Sequence, residues 1–393
     1  MLFGSGFIVS PEKATTLGLG KITGAEKHIR QYRNGRDLMA HSRNLLVIDL
    51  FGLTETQVRE TFPMIYQHIL DAVKPERDAN RDKSIKENWW LFGRPRSEIR
   101  PALAGLSRYV VTVETAKHRI FSVLDPSVLP DNKLVVIALS DFAHFSVISS
   151  MIHWVWAKGN AAKIGAYDGD AVYPKTQCFD PFPFPDLTDP QKTHLRQLGE
   201  DLDAHRKRQQ AQHPKLTLTQ MYNVLEKLRA GEVIEGKDRE IYDQGLIGIL
   251  RDLHDQIDVA VADAYGWPVD LSDEEILLRL VALNKERAEE EARGHIRWLR
   301  PDYQNPTGAG AVSGKTSEMD LGAVTKVEKA AWPKALPDQI AAVREALSEM
   351  GEATPDQIAR RFLRARSATV RPLLESLAAL GQAEVMDSDR FAA

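Results

Sequence analysis

A chain of 393 residues with 43% hydrophobic and 27% charged residues and a net charge of -4 has an ordinary globular composition, long enough for two or three domains with cores of their own. A single cysteine, Cys178, excludes an internal disulfide, and no stretch approaches the roughly 18 apolar residues of a membrane span. The N-terminus MLFGSGFIVSPEK carries no basic region ahead of its apolar residues, so the sequence predicts a cytoplasmic protein without a secretory signal.

Residues 1 to about 50 read as short strands and turns punctuated by Gly4, Gly6, Gly18 and Gly20, with Phe7-Ile8-Val9 short enough for an edge strand. The segment IRQYRNGRDL, Ile29 to Leu38, sets Arg30, Arg33 and Arg36 around an Asn-Gly turn where backbone can approach a phosphate. Leu45 to Ile48 is a continuous apolar run of buried-strand length. From Thr54, a plausible N-cap, helical spacing through Val58, Phe62, Ile65, Ile69 and Val73 predicts one helix to Val73.

Lys74 to Arg119 is the most basic part of the chain. Four lysines and seven arginines against six acids make it formally +5 inside an acidic protein. Its cations are interleaved with Trp89, Trp90, Phe92, Pro95 and Pro101, which suits a rigid surface meeting phosphates better than a merely solvated loop. Tyr109 to Thr115 and Ile120 to Leu124 read as strands that display Lys117-His118-Arg119 between them. Leu134 to Leu139 reads as a third strand, covered on both faces, and Phe142 to Trp156 as one amphipathic helix with Phe145, Ile148, Ile152 and Trp156 on one side. On this helix His144 and His153 are packing or surface residues, and no cysteines or carboxylates gather near them, so no metal site is expected.

Lys158 to Asp186 begins with glycines and small residues and closes on Phe182-Pro183-Phe184-Pro185. It brings Lys163, Tyr167, Asp168, Asp170, Tyr173, Lys175 and Gln177 within a short reach; it is either a Gly-rich connector with a proline lock or a base-reading loop. Lysine can donate to guanine, aspartate can accept from cytosine and glutamine can pair with adenine. Cys178, between Gln177 and Phe179, is a small packing residue.

From Thr188 to about Arg300 four helices are predicted: Asp189 to His213 with the basic run His205-Arg206-Lys207-Arg208, Leu218 to Leu228, Lys237 to Tyr265 stopped by Gly266-Trp267-Pro268, and Ser272 to Gly294 opened by a Ser272/Glu275 capping box. Residues 301–335 are a Gly, Pro, Ser and Ala-rich linker. The tail, 336–393, follows the order helix, short helix, longer helix, strand of a winged helix-turn-helix. Arg364, Arg366 and Arg371 lie near the start of its third helix, and Pro372 sits inside it. Such a tail can bind DNA or protein. The fold class is therefore α+β: a mixed β-sheet domain over 1–187, a helical bundle over 188–300, the linker, and a small winged-helix-like domain.

Six words in order, NGRDL (Asn34 to Leu38), VIDLFGLT (Val47 to Thr54), VKPERDANRD (Val73 to Asp82), WWLFGRPRSEIR (Trp89 to Arg100), RYVVTVETAKHRIF (Arg108 to Phe121) and CFDPFPFPD (Cys178 to Asp186), resemble the target-recognition region of MmeI-like DNA methyltransferases. These are class I SAM-dependent adenine methylases of single-chain restriction-modification systems. Tyr265-Gly266-Trp267 matches the family's C-terminal helical region, so the resemblance runs over roughly residues 1 to 300.

The resemblance implies double-stranded DNA as partner. It implies phosphate contacts by Arg33, Arg36, Lys74, Arg77, Arg81, Arg94, Arg96 and Arg100, and a phosphate- or base-contacting edge at Lys117, His118 and Arg119, although an isolated His118 would read as a surface turn residue. Base readers come from Lys163, Asp170, Tyr173, Lys175 and Gln177. Family members also carry a Gly-rich SAM turn and an NPPY-like loop that holds the flipped adenine. Neither occurs here: Asn305-Pro306-Thr307-Gly308 and Phe179-Asp180-Pro181-Phe182 lack the required prolines and aromatic. No catalytic residue is therefore assigned, no cofactor is expected on this chain, and SAM is implied for a partner methyltransferase subunit, this chain being either one part of a split enzyme or the product of a gene broken upstream. The alternative is a transcriptional regulator or inactive remnant acting through the winged helix.

Overall fold

The computed structural model describes residues 5–160, 171–306, 330–333, 336–363, 365–379, 383–387 and 390–392. The chain forms two compact units, Met1–Val312 and Ser313–Ala393. Of the linker, residues 307–329, 334 and 335 lie outside the described residues.

In the first unit, Ile8–Val9 is the edge of a four-stranded sheet. It pairs antiparallel with Leu46–Ile48, which pairs antiparallel with Ile29–Arg33, whose far end pairs parallel with Leu129–Pro130. Thr54 caps the next helix as expected, in a capping box with Gln57. One helix to Val73 is not what forms, however. Helices Glu55–Thr61 and Pro63–Ala72 are separated at Phe62, which leaves the helical region at φ -129° and ψ 61°. Pro63 is the cause: its ring disfavours the helical conformation of the residue before it, while its fixed φ suits the first position of a new helix. Val58, Phe62, Ile65, Ile69 and Val73 still reach one core, together with Phe7, Ile29, Ile48, Trp89 and Phe92.

A second sheet centres on Tyr109–Val113, flanked antiparallel by Phe121–Leu124 and Leu134–Ile137. The single helix expected over Phe142 to Trp156 is also two, Phe142–Ser149 and Met151–Asn160. Ser150 breaks it with φ -79° and ψ 163°, its hydroxyl donating to Val147 O at 2.7 Å while its own Oγ accepts from the His153 N–H at 3.4 Å. A serine side chain that satisfies the backbone locally competes with the helical ladder. The pair is buried nearly all round, with Phe142, Ala143, Val147, His153 and Val155 inside as well as the four residues of the expected face.

The helical part holds five long helices, Asp189–Gln212, Leu218–Arg229, Gly236–Gly245, Ile247–Tyr265 and Asp273–Ala292. The fourth ends at Gly266 in the left-handed region, and capping boxes at Thr188 and Ser272 open the first and last. The expected Lys237 to Tyr265 helix breaks at Leu246, held at φ 44°. Gly245 before it is buried so tightly that a Cβ would lie 2.7 Å from Ile247 Cδ1. These helices and the second sheet share one core: Val110, Phe121, Phe145 and Phe182 from before residue 187 pack with Leu195, Leu202, Met221, Ile257 and Leu280 from after it. Among the described residues no helix is long and apolar enough to cross a membrane.

The second unit consists of helices Leu336–Met350, Pro355–Ala359 and Ser367–Ala379 and a three-stranded sheet in the order Glu352–Ala353, Arg390–Ala392, Glu384–Asp387. Its core is Val343, Leu347, Ile358, Val370, Leu374, Leu377 and Phe391. Pro372 lies within the third helix and is exposed.

Candidate nucleic-acid interface

The basic stretch is organised from its aromatic residues outward. Trp89 and Phe92 are buried, Trp89 edge-on to Tyr66 at 5.8 Å and to Trp90 at 6.3 Å, and Phe92 edge-on to Phe7 at 5.2 Å. Trp90 donates its indole N–H to Leu53 O at 2.9 Å. The two tryptophans therefore clamp the WWLFG word onto the first core, and truncating the buried ring of Trp89 would cost about 3–5 kcal/mol.

On this frame the cations separate into those the fold engages and those it leaves available. Arg100 donates through Nη2 to both oxygens of Asp49, at 2.8 and 2.9 Å, and through Nη1 to Pro95 O, and stacks over Phe51 at 3.9 Å. Lys74 pairs with Asp78 at 2.8 Å and lies over Trp89, while Arg96 pairs with Glu98 at 3.7 Å from a left-handed backbone. Arg33 bonds Tyr32 O and Gln31 Oε1. Arg36, Arg81 and Arg94 are exposed and meet no acceptor among the described residues.

The NGRDL word does not form the expected Asn-Gly turn. Asn34 caps a short helix, Gly35–Met39, in a box with Asp37, and Asp37 in turn binds Arg43 at 2.9 and 3.0 Å, hydrogen bonds that hold its carboxyl below the usual range against the opposing effect of burial. A Cβ on Gly35 would approach Val113 Cγ1 to 3.1 Å, so this helix starts against the end of the central strand of the second sheet. At that end Thr115–Ala116 pairs with Ala171–Val172, and Tyr173 N–H donates to Glu114 O at 2.8 Å. Ala171–Val172 is thereby held just beyond Val113, against which the helix carrying Arg36 starts. Lys163 and Asp170 lie outside the described residues.

Lys117-His118-Arg119 differs from its expected display. Lys117 Nζ donates to Glu226 Oε2 at 2.6 Å and His118 Nε2 to Asn223 Oδ1 at 2.7 Å, both on the helix Leu218–Arg229. Arg119 turns inward to Thr112 Oγ1, Val113 O and Ala171 O and lies over Tyr173 at 4.8 Å. Tyr173 itself is 1% exposed, with its hydroxyl 2.8 Å from His153 Nε2, and burial pushes its phenol well above the ordinary range. Of the reading segment, Lys175 and Gln177 are exposed; the charge of Lys175 acts on Asp180.

The closing prolines seat this segment on the helices. Phe182 packs edge-on to His153 at 4.4 Å, Tyr265 donates its hydroxyl to Pro183 O at 2.8 Å, Asn284 bonds Pro181 O, and Asp186 takes Arg287 at 3.0 Å and Arg297 at 2.9 Å. Cys178 is fully buried and its thiol is pushed up to about 11 by burial, as a packing residue requires. Sequence reasoning missed Asp49, Asn223 and Glu226, which decide how much charge is available. Only Asp49 left a signal, an acid inside an apolar word that calls for a counter-charge. Among the described residues no group of three or more His, Cys, Asp or Glu gathers as a metal site would.

Comparison with known proteins bears on the same residues. Residues 3–186 match the family model of the MmeI target recognition domain. Among solved structures, the Type IIL restriction-modification enzyme MmeI in complex with DNA superposes with a TM-score of 0.52 at 15% identity, covering 72% of this chain and 34% of that one. The chain thus spans about a third of the length of that enzyme, and the likeness is one of fold. No curated protein matches.

Proposed function

With residues 3–186 matching the MmeI target recognition domain as premise, we propose that the chain recognises a short site in double-stranded DNA on behalf of a site-specific adenine methyltransferase of a restriction-modification or phage-defence system. The observation that carries the proposal is the contrast between Arg100, Lys117 and Arg119, which the fold engages, and Arg36, Arg81 and Arg94, which stand exposed without an acceptor. Phosphates are the acceptors that complete these cations. Lys175 and Gln177 read base edges, and methyl transfer from SAM falls to a methyltransferase domain outside these 393 residues.

The test is duplex binding by the full chain as a function of salt. Replacing Arg36, Arg81 and Arg94 together with Ala should flatten the log-log salt slope by roughly 0.9 for each lost phosphate contact. A wild-type slope in the triple variant, or no duplex binding by the wild type, would overturn the proposal. SAM should give no calorimetric signal with this chain alone; stoichiometric micromolar binding, about -8 kcal/mol, would place a cofactor site here after all.

A further inference from the structure

Arg77 joins two sequence words that the chain keeps apart. It sits on the helix Lys74–Asp78 of the PERDANRD word and is 5% exposed. Its guanidinium carbon lies 5.8 Å from the ring centre of Phe7, and a Cβ built on Gly93 of the WWLFGRPR word would fall 3.1 Å from its Nη1 and 3.5 Å from Ile85 Cδ1. Gly93 leaves the guanidinium its room; alanine would push against it. Yet nothing accepts from Arg77 among the described residues, and its Nε is buried with no hydrogen-bond partner. Arg206, likewise deeply buried and likewise without a partner at Nε, differs in its other nitrogens, which donate to Phe121 O at 2.9 Å and to the Tyr222 hydroxyl.

A deeply buried guanidinium whose Nε meets no acceptor is costly, because it keeps little of its water and gains in return the face of one aromatic ring and the charge of neighbouring Glu76. Burial accordingly pulls its pKa down. Arg81 and Arg94, one on each of the two words, are exposed, unpaired and of the same sign. A surface with this excess of cations around a preformed arginine suits a polyanion better than a lone protein carboxylate.

We propose that Arg77 and the Gly93 turn form a pocket for one backbone phosphate of the duplex, taken by the planar guanidinium, with Arg81 and Arg94 on neighbouring phosphates. This rests on the DNA reading above and gives Arg77, one of the phosphate contacts the resemblance implies, a preformed site that holds the duplex in register without reading its sequence. Such a residue gives up stability in the free protein for a contact made only in the complex.

The test uses the full chain with Arg77→Met, Arg77→Lys and Gly93→Ala, following thermal unfolding without DNA and duplex binding across a salt series. Arg77→Met is expected to raise the Tm of the free protein, to lower the salt slope by about 0.9, and to weaken related and unrelated duplexes by the same factor. Arg77→Lys should keep the slope and lose affinity, since a point charge cannot reproduce the fork, and Gly93→Ala should weaken binding with the charge intact. A lower Tm for Arg77→Met would make Arg77 a structural residue and overturn the pocket. So would a wild-type slope in Arg77→Met where the wild type binds duplex, which would point to a partner carboxylate as the missing anion. A wild type that binds no duplex would overturn the DNA reading and this pocket with it.

Discussion

Arg100 and Asp49, 51 residues apart, meet as a guanidinium nitrogen donating to both oxygens of a carboxylate that is 5% exposed. Arg30 approaches the same carboxylate to 3.6 Å. An arginine from the most basic word of the chain is thereby fixed to the turn after Leu46–Ile48, and through it the loop carrying Arg94 and Arg96 is set on the first core.

Breaking that pair should therefore act on the fold. Arg100→Ala removes two hydrogen bonds to buried Asp49 and leaves it only Arg30 at 3.6 Å, so it should lose about 1.5–3 kcal/mol in urea unfolding while the salt slope of duplex binding stays at its wild-type value. Arg94→Ala should do the reverse. Full stability with a shallower slope for Arg100→Ala would show Arg100 to be a phosphate contact.

The contact of His118 with Asn223 fastens the strand connection to the helix Leu218–Arg229. Asn223→Ala should cost about 1 kcal/mol of stability, and the exposed Lys117–Glu226 pair beside it should contribute 0–1 kcal/mol. Neither substitution should alter the salt slope. A slope reduced in Lys117→Ala alone would mean that this lysine leaves Glu226 for DNA in the complex.

Acid should weaken the protein through His153. Burial among Phe121, Tyr173 and Phe182 pulls its pKa from 6.5 down to about 3. The unfolded chain then binds a proton that the folded one refuses, so stability is full above pH 6.5 and falls as the pH drops toward 3, by up to about 1.4 kcal/mol per pH unit. Asp258, raised by burial to about 6, works in the opposite sense: its cost is absent below its unfolded value near 3.8 and grows as the pH rises through that window toward 6. On lowering the pH from 7 to 5, the urea midpoint of the wild type should fall relative to that of His153→Gln, which keeps only the opposite contribution of Asp258. An equal change in the two would remove His153 from the account.

Reading and holding should separate by residue. Lys175→Ala or Gln177→Ala should shift the preferred duplex sequence, since one bidentate base contact discriminates by about 1–3 kcal/mol, whereas Arg81→Ala should weaken all sequences alike. Selection of bound duplexes from a randomised pool by each variant is the measurement. An unchanged preferred site with uniformly lower affinity in the Lys175 and Gln177 variants would make the segment before Phe182 a structural connector.

Much of this was legible along the chain because it rests on interactions reaching no more than about four residues. Thr54, Thr188 and Ser272 cap their helices through the residue three positions on, Gly266 stops a helix by its own backbone freedom, and Phe7-Ile8-Val9 is too short for anything but an edge. Pro63 carried the signal for the break at Phe62, but the helical spacing that predicts one helix to Val73 runs through it. The breaks at Ser150 and Leu246 did not announce themselves, because the second follows from the packing of Gly245 against Ile247 and Met221. The sequence also concentrated positive charge between Lys74 and Arg119, but it could not say which cations remain for a ligand. Arg94 and Arg100 look alike in one word, and Asp49 separates them; Lys117 looks displayed until Glu226 meets it. Whether a charge is available depends on what lies within about 4 Å of it, and in a folded chain that neighbour comes from anywhere in the sequence.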